Sequence, residues 1–220
     1  RSIPVVRALR ARGFLVSIDT MRAPVAQAAI EAGACLVNDV SGGLADPDMA
    51  AVVAAADVDY VAMHWRGHSI DMQNRAVYAD VVSDVRRELA GRVDALVGSG
   101  VAPERIILDP GLGFAKTAEH NWELLAHLDS LATLGHRLLI GASRKAFLGT
   151  LEPDDAGVPA PPDRRDSASA AVSLVCAQAG VWCVRVHDVP ASRSALRVAG
   201  AMRARELAGL VGSGGDGRAR

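Results

Sequence analysis

Short aliphatic runs alternate along this chain with stretches in which apolar residues return every three or four positions. Ile106-Ile107-Leu108 and Leu138-Leu139-Ile140 are apolar at every residue, as strands buried on both faces of a parallel sheet are. The intervening stretches read as amphipathic helices. Residues 1–12 predict a helix with Ile3, Val6 and Leu9 on one face, stopped by Gly13. A strand over 14–18 runs into Asp19 and Thr20, and a helix over 21–32 has Pro24 in its first turn and Gly33 at its end. Strands follow over 35–37, 59–63, 105–108, 137–140 and 181–186, separated by helices over about 47–56, 81–97, 121–133 and 166–179. Asp188 caps a final helix that Pro190 opens.

About six strand–helix units with hardly a hairpin signal predict an α/β fold built on a parallel sheet, against the eight units of a closed (β/α)8 barrel. One domain is expected over 1–211, with a Gly-rich, charged and disordered tail over 212–220. The polar stretch from Trp65 to Tyr78 is long for a compact domain and reads as a functional flap.

Composition narrows the partners. With 220 residues, 50% of them hydrophobic, the chain can bury a substantial core. A net charge of -1 and a pI near 6.7 supply no field for nucleic acid or anionic lipid, so small-molecule ligands are expected. Neither a membrane-length apolar run nor a signal peptide is visible. Cys35, Cys176 and Cys183 match no zinc spacing and lie among apolar residues, which predicts buried thiols in a reducing cytoplasm. Of 24 basic residues only Lys116 and Lys145 are lysine. A compact, pKa-tunable ammonium is not interchangeable with a guanidinium, so both positions are candidates for a specific role.

The candidate chemistry gathers at strand ends. Asp109 terminates the 105–108 strand and opens Pro110-Gly111-Leu112-Gly113-Phe114; Asp19, Asn38, Lys145 and Arg185 also stand at or just past strand C-termini. Singly, each has a plain structural explanation: turn formers, solvated charges and, for His64, a satisfied core histidine. Strand C-termini of α/β folds nonetheless converge on one face. Two carboxylates, an amide and an ammonium suit a planar heterocycle with a donor/acceptor edge. Arg185 and His187, two apart on an extended segment, share a side and could hold a leaving anion such as pyrophosphate. Backbone amides of Ser143-Arg144-Lys145 offer a place for a second anion such as a carboxylate. No nucleophile with an adjacent base, metal-ligand spacing, GxGxxG or P-loop is apparent, which leaves transfer chemistry by positioning and electrostatics.

These motifs resemble, in order, those of the dihydropteroate synthase family, the sulfonamide-inhibited enzymes of folate biosynthesis. The matching segments are Ser17-Ile18-Asp19-Thr20, Asn38-Asp39-Val40-Ser41-Gly42-Gly43, Met63-His64, the run from Leu108 to Thr117, Ser143-Arg144-Lys145 and Arg185-Val186-His187-Asp188. The resemblance covers nearly the whole chain except the tail. It implies a TIM barrel and a transferase joining 6-hydroxymethyl-7,8-dihydropterin pyrophosphate to p-aminobenzoate. By position, Asp19, Asn38, Met63, Asp109 and Lys145 would bind the pterin, with Asp109, Lys145 and Asp19 catalytic. Phe114, Ser143 and Lys145 would border p-aminobenzoate, and Arg185 and His187 would bind pyrophosphate. The resemblance also implies Mg2+ accompanying the pyrophosphate, and a homodimer built from the C-terminal helices.

The family's first two strands, with its magnesium ligand and its mobile loops, precede the segment where this chain starts, and the chain begins with Arg1 rather than Met. The expectation is therefore an N-terminally incomplete barrel with no metal ligand of its own, two exposed parallel edges, and little or no activity from these 220 residues alone. Two other readings remain open. A methyltetrahydrofolate-using methyltransferase barrel would share the Asp and Asn positions but has no pyrophosphate to hold, so Ser143-Arg144-Lys145 and Arg185-Val186-His187 argue against it. A catalytically inactive fragment would bind pterin without aminobenzoate-dependent turnover.

Overall fold

The computed structural model describes residues 1–67 and 75–213. The middle of the flap expected between Trp65 and Tyr78, and most of the tail expected after Val211, lie outside the described residues. The chain divides into two compact units, Arg1–Gly141 and a second that starts at Ala142.

In the first unit the elements run α1 (Ile3–Ala11), β1 (Ser17–Asp19), α2 (Ala23–Glu31), β2 (Leu36–Asp39), α3 (Met49–Ala54), β3 (Asp59–Met63), α4 (Val81–Gly98), β4 (Ile106–Asp109), α5 (Ala118–Ala126), α6 (Leu128–Ala132) and β5 (Arg137–Ile140). β1 to β5 pair in parallel and in sequence order. Tyr60, Val61 and Ala62 of β3 and Ile107 and Leu108 of β4 have no exposed surface; each larger aliphatic side chain buried this way contributes about 1.5–3 kcal/mol. The unbroken apolar runs thus lie in the middle of a sheet covered on both faces. At the strand beginnings, Arg137 of β5 grips Asp59 of β3 through two bonds of 2.7 and 3.0 Å, and Arg105 pairs with Asp57.

Three elements and two cysteines depart from the sequence expectation. β1 starts at Ser17, not residue 14, because Phe14 and Leu15 are exposed and leave the run before it reaches β2. The helix expected over 121–133 is two helices, broken at His127 with φ -122° and ψ 41°, a bend that sinks Leu128 and Leu131 into the core. The last strand, β6, shrinks to Cys183–Val184. Of the three cysteines expected to be buried only Cys176 is; Cys35 and Cys183 are half-buried.

The second unit holds α7 (Ala146–Gly149), α8 (Asp166–Gln178), β6 and α9 (Val189–Ser213). Small residues on α8 and α9, among them Ser173, Cys176, Ser192 and Ala199, are buried. α9 extends two residues into the expected tail. Among the described residues the chain has six strands, each but the last followed by helix before the next, which is the α/β architecture of an incomplete (β/α)8 barrel.

Candidate active site

Strand register decides which side chains share a face. Asp19 pairs with Asn38, Asn38 with Val61, Val61 with Ile107, and Met63 with Asp109. Side chains of paired residues in a parallel sheet point the same way and alternate along each strand. Asp19, Asn38, Met63 and Asp109 therefore stand on one face at the C-terminal tips of four successive strands. Asn38 donates from Nδ2 to Oδ2 of Asp19 at 2.7 Å. Asn38, Met63 and Asp109 are buried, while Asp19 is exposed.

The opposite face holds a different carboxylate. Asp39 accepts from Ser41 N (2.8 Å), Ser41 Oγ (2.7 Å), Gly43 N (2.9 Å) and the Tyr60 hydroxyl (2.8 Å). Burial, then the Asp39 charge, pushes the Tyr60 phenol far above its ordinary range, so it stays a donor. Asp39 is thus the anchor of the Ser41-Gly42-Gly43 loop that follows Asn38. In the sequence Asp39 stands beside Asn38 in one motif, yet adjacent strand residues face opposite ways, so the two carry different roles.

The loop after β4 is tied at every turn. Asp109 Oδ1 accepts from Gly111 N at 2.7 Å, and Gly113 N donates to Asn121 Oδ1 at 2.7 Å. Gly111 has φ +67°, where a Cβ would lie 2.4 Å from the carbonyl oxygen of His64, so only glycine fits. Phe114, half-buried, closes a turn through its N–H to Gly111 O at 3.0 Å. Thr117 then caps α5 in a reciprocal box with His120.

Beneath this loop lies a chain of polar groups. His64 accepts at Nδ1 from Lys116 Nζ (3.0 Å), and its Nε2 meets Glu88 Oε2 at 2.9 Å. Burial drives His64 down to about 4, so near neutrality it is uncharged, with the proton on Nε2 donated to Glu88. Glu88 is held down at about 2 by the hydrogen bond from His64 and by Arg66. With His64 neutral, Arg66 is the cation that pairs with Glu88, donating from Nε at 3.1 Å and from its terminal nitrogen, and lying 3.8 Å over the Tyr78 ring. The reading of His64 as a satisfied core histidine holds. Lys116, a candidate for a specific role, is buried and points into this network; its sequence signals are lysine in an arginine-rich chain and its place in the run from Leu108 to Thr117.

In the second unit, Ser143 Oγ lies 3.0 Å from His187 Nδ1 and accepts from His187 N at 3.2 Å, which ties the start of this unit to the segment after β6. Lys145, half-buried, stands immediately before α7. Between the two, Arg144 adopts φ +59°. It is held there by two 2.8 Å bonds to Asp166, by its N–H on Ser169 Oγ (3.0 Å), and by Arg165 on its carbonyl (2.9 Å). Arg185 is half-buried, two residues before the exposed His187; burial pushes the nearby Cys183 thiol up, and the Arg185 charge offsets only part of that rise. The paired strand β6 ends at Val184, one residue before Arg185.

The arrangement can hold a flat polar ring by one edge in the first unit and anions at the loops of the second. Residues 1–187 match the family described as pterin binding enzyme. The chain is 53% identical over 202 residues to dihydropteroate synthase of Mycobacterium leprae, covering 91% of this chain and 71% of that protein. It superposes with a TM-score of 0.82 and 38% identity on the Xanthomonas albilineans dihydropteroate synthase in complex with 7,8-dihydropteroate, over 92% of this chain and 74% of the other. The Yersinia pestis dihydropteroate synthase, in a sulfonamide drug complex, matches with a TM-score of 0.85 and 35% identity, over 93% and 73%.

Proposed function

This chain belongs to the dihydropteroate synthase family of pterin-binding enzymes, and we propose from that premise how its residues divide the work. The activity is that of a transferase, condensing 6-hydroxymethyl-7,8-dihydropterin pyrophosphate with p-aminobenzoate to give 7,8-dihydropteroate and pyrophosphate.

The observation that carries the residue assignment is the Asn38 to Asp19 bond on the face shared with Met63 and Asp109. Asp109 accepts two N–H groups from the guanidine-like edge of the pterin, with its orientation fixed by Gly111 N. Asp19 and Asn38 hold further ring polar atoms, and Met63 supplies an apolar wall. By the same family assignment Lys145 donates to the pterin, Phe114, Ser143 and Lys145 border p-aminobenzoate, and Arg185 and His187 bind pyrophosphate. The C–O bond between the pterin methylene and pyrophosphate breaks with its electron pair leaving on oxygen. The cationic methylene is stabilised by delocalisation into the ring, whose polar edge the Asp109 carboxylate holds, and the aniline nitrogen then attacks the methylene carbon and releases its proton to water.

Mg2+ would enter with the pyrophosphate and neutralise part of its charge. Among the described residues no group of three or more His, Cys, Asp or Glu side chains could hold a metal, so the steps above rest on the chain's own residues. A homodimer through α8 and α9 is supported by the exposed Val175, Leu196, Val198 and Met202, and sedimentation would test it. No helix among the described residues is long and apolar enough to cross a membrane; three free thiols support a reducing cytoplasm.

The test is p-aminobenzoate-dependent pyrophosphate release, with Asp109→Asn and Lys145→Ala. Each is expected to lower kcat/KM about 100-fold or more, as loss of a charged contact at the reacting group does. Pterin binding without turnover would favour the binding-only reading.

A further inference from the structure

We propose that Lys116 is a positioning residue for p-aminobenzoate: its buried ammonium clamps the Gly111–Phe114 turn and so sets the Phe114 ring, while His64 and Glu88 fix the ammonium. The inference rests on the assignment of Phe114 to the aminobenzoate subsite.

An ammonium has three N–H groups, and Lys116 meets three acceptors: His64 Nδ1 at 3.0 Å, Gly111 O at 3.2 Å and Phe114 O at 3.1 Å. Gly111 and Phe114 are the first and last residues of a turn that Phe114 N–H to Gly111 O already closes, so the same charge grips both ends. Ala115, at φ +47° without being glycine, is the link that folds the chain back far enough for Lys116 to reach under its own loop. Convergent acceptors around one point suit a compact ammonium; a planar guanidinium would splay them. That is a physical reason for lysine in a chain that otherwise uses arginine at all but one of its basic positions.

Burying this charge is costly unless its surroundings answer it. His64 cannot do so alone, being neutral, but it links Lys116 to the Glu88 carboxylate on α4. The Tyr78 ring faces the ammonium as well: Lys116 Nζ lies 5.9 Å from the ring centroid, and the Tyr78 hydroxyl donates to Ala115 O at 3.0 Å. Glu88, His64 and Lys116 form one line of groups ending on the turn.

The clamp acts on one end of the loop more than the other. Asp109 is fixed in the sheet without the clamp, by its pairing with Met63 and by His64 N–H on its carbonyl at 2.8 Å. Phe114 has its carbonyl on Lys116. Loss of the ammonium therefore displaces the Phe114 end while the Asp109 end stays in the sheet, and the two substrates should feel it unequally.

Steady-state kinetics and hydrogen exchange of the whole chain test this. Lys116→Met is expected to raise the KM for p-aminobenzoate about tenfold and that for the pterin pyrophosphate less than about threefold, with faster amide exchange over 110–117 and unchanged protection in β4. His64→Asn keeps an acceptor near the position of Nδ1; His64→Leu removes it, and both lose the contact with Glu88. The expected order is wild type, His64→Asn, then His64→Leu with the kinetic split of Lys116→Met. Equal rises in both KM values, an unchanged aminobenzoate KM, or identical behaviour of the two His64 variants would overturn the proposal. If Lys116→Met does not fold, the His64 pair decides alone. A wild-type protein that folds but binds neither the pterin pyrophosphate nor p-aminobenzoate would defeat the proposed function instead; where the wild type does not turn over, the exchange comparison upholds or overturns the clamp by itself.

Discussion

Asn38 donates to the Asp19 carboxylate at 2.7 Å across the tips of two strands that pair residue for residue. The bond aims an exposed carboxylate with a buried amide, and it depends on the amide being a donor. Asn38→Asp keeps the shape and replaces that donor with a second carboxylate. Two such groups in contact cannot both ionise easily, so one pKa rises. The variant is expected to lose about 10- to 100-fold in kcat/KM for the pterin pyrophosphate at pH 8, the equivalent of a charge-assisted hydrogen bond worth ~1.5–3 kcal/mol. Activity should partly return as the pH is lowered and a shared proton restores the bond. An Asn38→Asp profile parallel to wild type across pH would show that the bond does not orient Asp19.

Stability should fall with acid in a way traceable to the His64 and Glu88 pair. The folded-state pKa of His64 is lowered to about 4, so between its ordinary value of 6.5 and about 4 the unfolded chain takes up a proton that the folded chain refuses. Stability drops as the pH falls through that window, by on the order of 2–3 kcal/mol at about 1.4 kcal/mol per pH unit. Glu88, lowered to about 2 mainly by the hydrogen bond from His64, contributes stability that is present above its ordinary value of 4.5 and lost below it as the pH falls toward 2. The two effects act in succession and in the same direction. Urea midpoints measured from pH 7.5 to 4.5 should decline for wild type, and His64→Asn should flatten the upper part of that decline.

What the sequence disclosed follows from what is local in it. Runs such as Ile106-Ile107-Leu108 announced their strands because complete burial leaves no polar position in them. The same logic overshot at Phe14 and Leu15, which are apolar and exposed; pairing with β2 begins only where the chain reaches Ser17. The break at His127 carried no Gly or Pro and is dictated by the burial of Leu128 and Leu131, a tertiary demand. Asp19 and Asn38 were legible as candidates because both end strands, but their bond requires the register between those strands. Lys116 was conspicuous by residue type and by its place in the run after β4, but neither showed what it touches. Its partner His64 lies 52 positions away, and no periodicity within the chain connects them.

Arg144 offers a separation of backbone from side chain. Its φ of +59° is unusual for a residue with a Cβ, and the Asp166 pair and the Ser169 and Arg165 hydrogen bonds hold it there between Ser143 and Lys145. Arg144→Ala removes the Asp166 bonds and keeps the steric cost of the left-handed conformation; Arg144→Gly removes both. Arg144→Gly should therefore melt above Arg144→Ala. Both should lose aminobenzoate-dependent turnover by about tenfold if Asp166 positions the Ser143 and Lys145 flanks. Equal melting temperatures for the two would mean the backbone relaxes out of the left-handed region once the ion pair is gone.

Gly111 provides the sharpest steric test, because two separate penalties act there and a second glycine isolates one of them. A Cβ at Gly111 would sit 2.4 Å from the His64 carbonyl oxygen, with φ at +67°. At Gly135, φ is +76° and nothing lies within 4 Å of the same added atom. Gly135→Ala thus bears only the conformational penalty, about 1–2 kcal/mol. Gly111→Ala bears that plus a clash between two backbone segments, neither of which can rotate aside, and should cost at least ~3 kcal/mol in total. Gly42, with a Cβ position 2.9 Å from Met63 O and φ at +60°, should fall between them. Turnover separates the three more steeply than stability does. Relief of the clash at Gly111 pushes its N–H away from the Asp109 carboxylate it orients, so Gly111→Ala should lose turnover at temperatures where it remains folded, whereas Gly135→Ala should match wild type once folded. If the two alanine variants prove equally stable and equally active, the loop after β4 has more room above His64 than its geometry allows, and Asp109 is oriented by something other than the Gly111 amide.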